Sequence, residues 1–189
     1  MKLPYALLTT LADGRFHSGT ELGKNTGRTR AAVWKAIQTL QASGLEIFSV
    51  RGKGYRLAEP LELLNRELIL QHMDEATRPY LAALEIFAEI DSTNAYLLDI
   101  AKQGAASGHV CLAEQQHAGR GRHGRDWVSP PGGNVYLSLL WRFNSGATQL
   151  GGLSLAMGLA VSRALVDIGL EDARVKWPND ILFNKHKLA

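Results

Sequence analysis

The chain has 189 residues, of which 46% are hydrophobic and 21% charged, a balance that is typical of a globular protein and excludes a long disordered one. Residues 150–170 form the longest apolar stretch, but serine and charged residues interrupt it, so no membrane span is expected. Cys111 is the sole cysteine, which excludes an internal disulfide and, since the chain starts with no secretory signal, favours a cytoplasmic protein. Residues 1–60 carry nine Lys or Arg against four Asp or Glu, a net +5, and the remainder carries −2. We therefore expect a polyanion to bind the N-terminal part.

The first sixty residues are expected to begin with three helices. After a leucine-rich first helix, Ser18 and Glu21 form a capping box for a second helix, which is expected to break over residues 23–27. Thr29 can cap a third helix with one apolar stripe and a polar, cationic outer face. Two helices about a short glycine turn predict a helix-turn-helix.

A basic hairpin follows these helices. Residues 45–50 alternate like a strand, residues 51–54 read Arg-Gly-Lys-Gly, and residues 55–57 can return as a second strand. This pattern predicts the wing of a winged helix, with the third helix in the major groove and the wing on phosphate. The predicted DNA-binding residues are Arg28, Thr29, Arg30, Lys35, Arg51 and Lys53. The alternative, a protein-docking module with a solvated charged face, stays open.

The body of the chain, residues 61–189, contains two polar segments that follow predicted strands. Asp91-Ser92-Thr93-Asn94 starts a helix and is explained either by plain capping or by a ligand at the helix start. Residues 116–127 then place three arginines among Gly119, Gly121 and Gly124. Although this satisfies G-x-G-x-x-G, it leads into prolines and not into a helix, which excludes a Rossmann site. We predict instead a cationic loop that closes over phosphate or carboxylate.

The last residues predict two short strands around a proline turn, after a helix over residues 150–169 that is interpreted as core packing. Lys176 lies between Val175 and Trp177 in the first of these strands. It can pair with Asp180 structurally, or neutralise a carboxylate and the α-phosphate that the carboxylate attacks.

Taken together, these segments resemble the bacterial biotin protein ligases of the bifunctional type that also represses the biotin operon. The resemblance rests on residues 29–35, the wing, Asp91–Asn94, residues 119–125 and Lys176–Asp180, in this order. It implies an α+β protein with an N-terminal winged helix-turn-helix domain, residues 1–60. A mixed-sheet catalytic domain would follow, residues 61–189, incomplete at its C-terminal end because the family continues past Ala189.

The resemblance also implies an activity, biotin-[acetyl-CoA-carboxylase] ligase. ATP and Mg²⁺ would activate biotin as biotinoyl-5′-adenylate, which biotinylates a lysine of the biotin carboxyl carrier protein, and the adenylate would act as corepressor by favouring a homodimer that binds operator DNA. The implied catalytic residues are Lys176, Arg120 and Arg122. The implied residues that bind biotin or the adenylate are Ser92, Thr93, Asn94, Gln116, Gly119, Arg120, Gly121, Arg122, Arg125, Trp127, Lys176 and Asn179.

No cluster of metal ligands is visible in the sequence, so Mg²⁺ is expected on the phosphates of ATP. Two alternatives remain: a biotin-sensing repressor without ligase activity, and a relative that acts on lipoate or octanoate.

Overall fold

The computed structural model describes residues 4–120, 128–144 and 150–189. Its contacts divide the chain into two units, Met1–Arg142 and Phe143–Ala189. The first unit opens with three helices and an antiparallel hairpin, the elements of a winged helix. These elements are α1 (Tyr5–Leu11), α2 (Gly19–Thr26), α3 (Arg30–Ala42), β1 (Ile47–Val50) and β2 (Gly54–Leu57).

Side-chain caps fix where the helices begin. The Ser18 hydroxyl accepts a hydrogen bond from the Glu21 backbone N–H, and the Glu21 carboxylate accepts one from the Ser18 N–H, which confirms the capping box. Thr29 caps α3 by accepting from the Ala32 N–H at 3.2 Å. Each cap satisfies a backbone donor that the helix itself leaves without a partner.

The predicted break at Gly23 is wrong. Helix α2 continues to Thr26, and Gly27, with φ of 65°, ends it in the left-handed conformation. Gly23 lies inside the helix because the chain folds back over it: the Arg28 N–H donates to the Gly23 carbonyl at 2.8 Å. A Cβ on Gly23 would lie 2.6 Å from the Arg28 carbonyl oxygen, so close approach explains this glycine.

The three helices and the hairpin enclose one apolar core. Leucines of α1 and the predicted stripe of α3 supply most of it, and the hairpin closes it. The buried core residues are Leu7, Leu8, Leu11, Leu22, Val33, Ala36, Ile37, Leu40, Ile47 and Leu57. Burial of this stripe leaves the opposite face of α3 in solvent, as the sequence predicts.

The wing is joined to the helices through His17. Its backbone N–H and carbonyl exchange hydrogen bonds with Tyr55, each at 2.9 Å, which adds a one-residue bridge beside β2. The imidazole lies between two carboxylates, with Nε2 at 2.9 Å from Asp13 Oδ1 and Nδ1 at 3.0 Å from Glu21 Oε1. The position of the wing relative to the helices therefore depends on His17, which lies between α1 and α2.

A mixed three-stranded sheet forms the rest of the first unit. Strand β4 pairs in parallel with β3 and antiparallel with β5, and α5 connects β3 to β4. The bounds are α4 (Arg66–His72), β3 (Ala83–Phe87), α5 (Thr93–Lys102), β4 (His109–Ala113) and β5 (Tyr136–Leu140). The Tyr96 hydroxyl of α5 donates to Glu85 Oε1 of β3 at 2.8 Å. The mixed-sheet prediction is confirmed.

Cys111 lies in the central strand of this sheet and is fully buried. Its burial raises the pKa of the thiol to about 11, with a smaller contribution from the negative charge of Glu85. The thiol is therefore protonated at neutral pH.

The second unit contains α6 (Leu153–Asp167) and the antiparallel strands β6 (Arg174–Lys176), β7 (Asp180–Phe183) and β8 (His186–Lys187). Helix α6 packs on the strands at Gly158. A Cβ at this position would lie 3.2 Å from Val175 Cγ1, so the glycine allows a close approach of the helix. The Ser162 hydroxyl donates to the Ala173 carbonyl at 3.0 Å. The two short strands predicted around a proline turn are confirmed as β6 and β7.

Within the second unit alone, α6 is covered on one side, and its interpretation as a core helix stays a prediction. Only Gly158 and Ser162 are buried in this helix. Large apolar side chains that remain exposed are Leu153, Leu155, Met157, Leu159, Val161 and Val166. The strands of this unit are only two to four residues long, so they cover one side of a 15-residue helix. Among the described residues, no helix is long and apolar enough to cross a bilayer.

Candidate ligand site and nucleic-acid interface

The predicted polar turn lies at the start of α5. Ser92 Oγ accepts a hydrogen bond from the Ala95 N–H at 3.3 Å, so Ser92 is the N-cap, and the capping interpretation is confirmed. Asn94 in the first turn is exposed. Capping uses the Ser92 hydroxyl as an acceptor and leaves its own proton available for another partner.

Thr93 is the buried centre of the site. Its side chain is 3% exposed, and both its backbone N–H and its hydroxyl lie within hydrogen-bond distance of Gln116 Oε1, at 2.8 and 3.1 Å. Its hydroxyl also lies 2.8 Å from Ser138 Oγ of β5. The sheet thus brings together Thr93 and Gln116, two predicted residues that are 23 positions apart.

The segment after β4 is attached to the same turn. The Gln116 N–H donates to Ser129 Oγ at 2.7 Å, and the N–H groups of His117 and Ala118 donate to the carbonyls of Ile90 and Asp91. Gly119 and the exposed Arg120 follow directly. The predicted Gly121, Arg122, Arg125 and Trp127 lie outside the described residues.

Lys176 and Asn179 belong to the second unit. Lys176 is exposed at the end of β6, opposite Asp180 in the strand register. Asp180 Oδ1 accepts a hydrogen bond from Lys187 Nζ at 2.7 Å, so the carboxylate makes an ion pair with a lysine that the sequence did not suggest. Asn179 is half-buried in the turn between β6 and β7.

All the residues predicted to bind DNA are exposed on the winged helix. They are Arg28, Thr29, Arg30, Lys35, Arg51 and Lys53. None of the five cations forms a salt bridge with another residue in the described part of the chain. Exposed cations of this kind remain available for phosphate.

Sequence reasoning missed three polar residues of the first unit: Ser129, Ser138 and Glu114. Ser138 lies on an apolar strand, and the sequence of this strand does not show which of its side chains face the site. Ser129 is 13 positions from Gln116, and only the fold brings the two residues into contact. Glu114 offered a signal, because it is a carboxylate directly after an apolar run. It is 1% exposed, and its Oε1 accepts a hydrogen bond from the Leu64 N–H at 2.6 Å.

A match to a family model identifies the protein family to which the chain belongs. A family model described as the biotin/lipoate A/B protein ligase family matches residues 86–189, more than half of the sequence. The chain belongs to this family. A model described as an HTH domain matches residues 5–56, which include α1 to α3 and the hairpin up to Arg56.

Two curated relatives match nearly the whole chain. The chain is 47% identical over 187 residues to the bifunctional ligase/repressor BirA of Escherichia coli (strain K12), which covers 99% of the chain and 56% of that protein. It is 33% identical over 181 residues to the protein of the same name from Bacillus subtilis (strain 168), covering 95% and 55%. The chain thus spans little more than half the length of the curated relatives it matches.

A solved structure of biotin protein ligase from Aquifex aeolicus in complex with biotin and ATP is also similar. It is 37% identical, covers 57% of the chain and 44% of that protein, and aligns with a TM-score of 0.47.

Proposed function

We propose that the intact protein is a biotin protein ligase that also represses transcription of the biotin operon. The observation that carries this proposal is the presence, in one member of the ligase family, of a winged helix with exposed cations and of a buried polar site at Thr93 and Gln116. The similarity to relatives named bifunctional ligase/repressor supports the same pair of activities. We place the DNA-binding domain at residues 1–60 and the ligase part at residues 61–189.

The ligase reaction has two steps. A biotin carboxylate oxygen attacks the α-phosphorus of ATP, which forms a mixed anhydride with AMP and releases pyrophosphate. The ε-amine of a lysine on the biotin carboxyl carrier protein then attacks the anhydride carbonyl, which forms an amide, releases AMP and loses a proton. Both steps build up negative charge on phosphate oxygens, which cationic side chains stabilise.

The site residues divide these tasks by their chemistry. Ser92, Thr93, Asn94 and Gln116 supply hydroxyl and amide groups for the polar ring of biotin. Gly119, Arg120, Gly121 and Arg122 would bind the adenylate through guanidinium and backbone N–H groups, and Arg125 and Trp127 would help this segment close. Lys176 would neutralise the biotin carboxylate and the linkage to AMP, and Asn179 would contact the ligand from the next turn.

Magnesium would be held by the phosphates of ATP. In the described residues, no group of three or more His, Cys, Asp or Glu side chains could hold a metal ion. Mg²⁺ keeps several water ligands and binds nucleotide phosphates readily. It would supply charge neutralisation at the phosphates, beside the arginines.

The adenylate would also be the corepressor. We propose that its binding favours a homodimer, in which two winged helices contact the two halves of an operator. A two-fold dimer presents its recognition helices to two half-sites, so dimer formation would control DNA binding.

Release of pyrophosphate tests the ligase half. The intact gene product is incubated with biotin, ATP and Mg²⁺, and Lys176→Ala is compared with Lys187→Ala, a nearby lysine outside the proposed site. We expect Lys176→Ala to abolish release and Lys187→Ala to retain it. Binding of biotin without release by the parent protein would indicate a biotin sensor, and preference for lipoate in competition would indicate the other branch of the family.

The salt dependence of DNA binding tests the repressor half. Each lost phosphate contact lowers the slope of log affinity against log salt by about 0.9. Arg30→Ala and Arg51→Ala should therefore each lower this slope while pyrophosphate release continues. Slopes equal to the parent slope would remove these residues from the DNA interface.

A further inference from the structure

The ligand site and the winged helix are connected through one buried carboxyl group. Glu114 follows β4 directly and is 1% exposed. Burial raises the pKa of its carboxyl, although the hydrogen bond from the Leu64 N–H opposes this effect. This hydrogen bond, 2.6 Å long, joins residues 50 positions apart.

Leu64 belongs to the segment that follows the winged helix, and this segment is bound to the winged helix. The Leu61 N–H donates to the Ala12 carbonyl at 2.8 Å. Leu61 and Leu63 pack against the winged-helix core. The segment that carries Leu64 is therefore attached to the winged helix at Leu61 and Leu63.

The other end of the connection is the ligand site. Gln116, two residues after Glu114, holds Thr93 at 2.8 Å and is itself held by Ser129. The chain after Ser129 returns to the linker: a Cβ on Gly132 would lie 3.1 Å from Leu61 Cδ1 and 3.3 Å from Leu63 Cδ2. Residues 114–116 are thus fixed to the polar site on one side and to the linker on the other.

The charge of Glu114 also affects a group in α1. Burial raises the pKa of the Tyr5 hydroxyl, and the negative charge of Glu114 raises it further.

We infer that Glu114 is a positioning residue that transmits occupancy of the biotin site to the winged helix through the Leu64 N–H; this rests on the proposed function. Only one residue, Gln115, separates Glu114 from Gln116, and residues two apart in an extended chain lie about 7 Å from each other. Because the two residues are so close along the chain, a ligand that shifts Gln116 also shifts Glu114. A buried acceptor and donor that separate lose a hydrogen bond that compensates their desolvation. The linker must therefore follow the strand end.

Hydrogen exchange tests this inference on the full chain. The amides of residues 61–64 are measured with and without biotin, ATP and Mg²⁺, and binding of biotin is checked by calorimetry. In the parent protein we expect the ligands to slow exchange at least about fivefold, which corresponds to the lower end of typical coupling energies. Glu114→Gln keeps an acceptor for the Leu64 N–H and should retain this slowing of exchange. Glu114→Ala should still bind biotin but should no longer show the slowing.

Two further variants make the result decisive. Glu62→Ala removes an exposed carboxylate from the same linker and should respond like the parent. Leu64→Pro removes the donor without changing Glu114, and loss of the response at residues 61–63 would support the inference even if Glu114→Ala does not fold. An unchanged response in Glu114→Ala or Leu64→Pro, or biotin binding by the parent with no response, would overturn it. Absence of biotin binding by the parent would instead refute the proposed function, and the inference with it.

Discussion

At the scale of single residues, the candidate site depends on buried polar groups that satisfy one another. Thr93 lies in α5, Ser138 in β5 and Gln116 in the segment after β4, and their contacts of 2.8 to 3.1 Å form one connected group. A buried polar group that loses its partner pays the full cost of desolvation. These contacts therefore stabilise the arrangement of the three side chains in the ligand-free protein.

The first prediction concerns Thr93→Val, which keeps the shape of the side chain and removes its hydroxyl. We expect the free energy of unfolding to fall by about 1 to 3 kcal/mol, because buried Gln116 Oε1 loses a donor and the half-buried Ser138 hydroxyl loses its contact. Urea denaturation measures the change. Thr9→Val removes a hydroxyl that is exposed and bonds only within α1, and it should leave stability nearly unchanged. Equal effects of both substitutions would contradict the prediction.

The second prediction concerns pH and His17. Burial of the imidazole opposes protonation, but hydrogen bonds to Asp13 and Glu21 outweigh it and raise the pKa of His17 above its ordinary 6.5. The same contacts lower the pKa of Glu21, and together with the Arg15 N–H they outweigh desolvation to lower that of Asp13. The raised pKa of His17 stabilises the fold below pH 6.5, and this stabilisation is lost as pH rises through the raised pKa. The lowered pKa values of Asp13 and Glu21 stabilise the fold above pH 3.8 and 4.5, which are the ordinary pKa values of these groups.

The stability difference between the parent and His17→Gln isolates this group. It should be largest between pH 4.5 and 6.5 and shrink on both sides. Urea denaturation across the pH range measures it. A difference that grows as pH rises above 7 would have the wrong sign.

At the scale of elements, α5 is held at both ends. Ser92 caps its start, and Arg142, after β5, donates from Nη2 to the Ala101 carbonyl at 2.7 Å and from Nε to the Ala105 carbonyl at 2.9 Å. A cation at the C-terminal end of a helix also interacts favourably with the helix dipole. Because α5 begins at the candidate site, its anchoring positions Thr93.

The third prediction follows from this anchor. Arg142→Ala should lower the free energy of unfolding by about 1 kcal/mol, since charged hydrogen bonds are lost at an exposed site. Lys102→Ala removes another cation from the end of α5, one that forms an exposed pair with Asp99, and such pairs contribute about 0 to 1 kcal/mol. Thermal denaturation should rank Arg142→Ala as the more damaging change; the reverse order would contradict the role of Arg142.

Local signals made most elements predictable from the sequence. The caps at Ser18, Thr29 and Ser92 act within three residues, so their sequence pattern is sufficient. The predicted helix break at Gly23 was wrong because this glycine is required by the close approach of the Arg28 carbonyl, which local sequence does not reveal. Within the site, Thr93 and Gln116 could be predicted through the family resemblance, but the contact with Ser138 depends on the pairing of β4 with β5, which a single sequence does not reveal.

At the scale of the whole molecule, we expect the apolar face of α6 to govern how copies of this chain associate at high concentration. Its exposed apolar side chains include Leu155 and Leu159, which are 50% and 46% exposed and lie one turn apart. Contiguous apolar patches of this kind on a surface promote association. The apolar pattern of α6 shows that a face of the helix needs a partner and not which partner covers it.

The fourth prediction is self-association of the 189-residue chain. Sedimentation velocity should show a mass that rises with protein concentration, and Leu155→Glu with Leu159→Glu should reduce this rise. Ala160→Glu adds a charge at an exposed small residue and should have a weaker effect. A parent chain that stays monomeric over the whole concentration range would contradict the prediction.

The buried thiol of Cys111 gives the molecule a native chemical label. Alkylating reagents attack the thiolate, and a protonated sulfur without solvent contact reacts only after the central strand separates from its neighbours. The rate at which iodoacetamide modifies the native protein therefore counts openings of the sheet that carries the candidate site. Because the chain has no second cysteine, the label reports this one event with no competing signal.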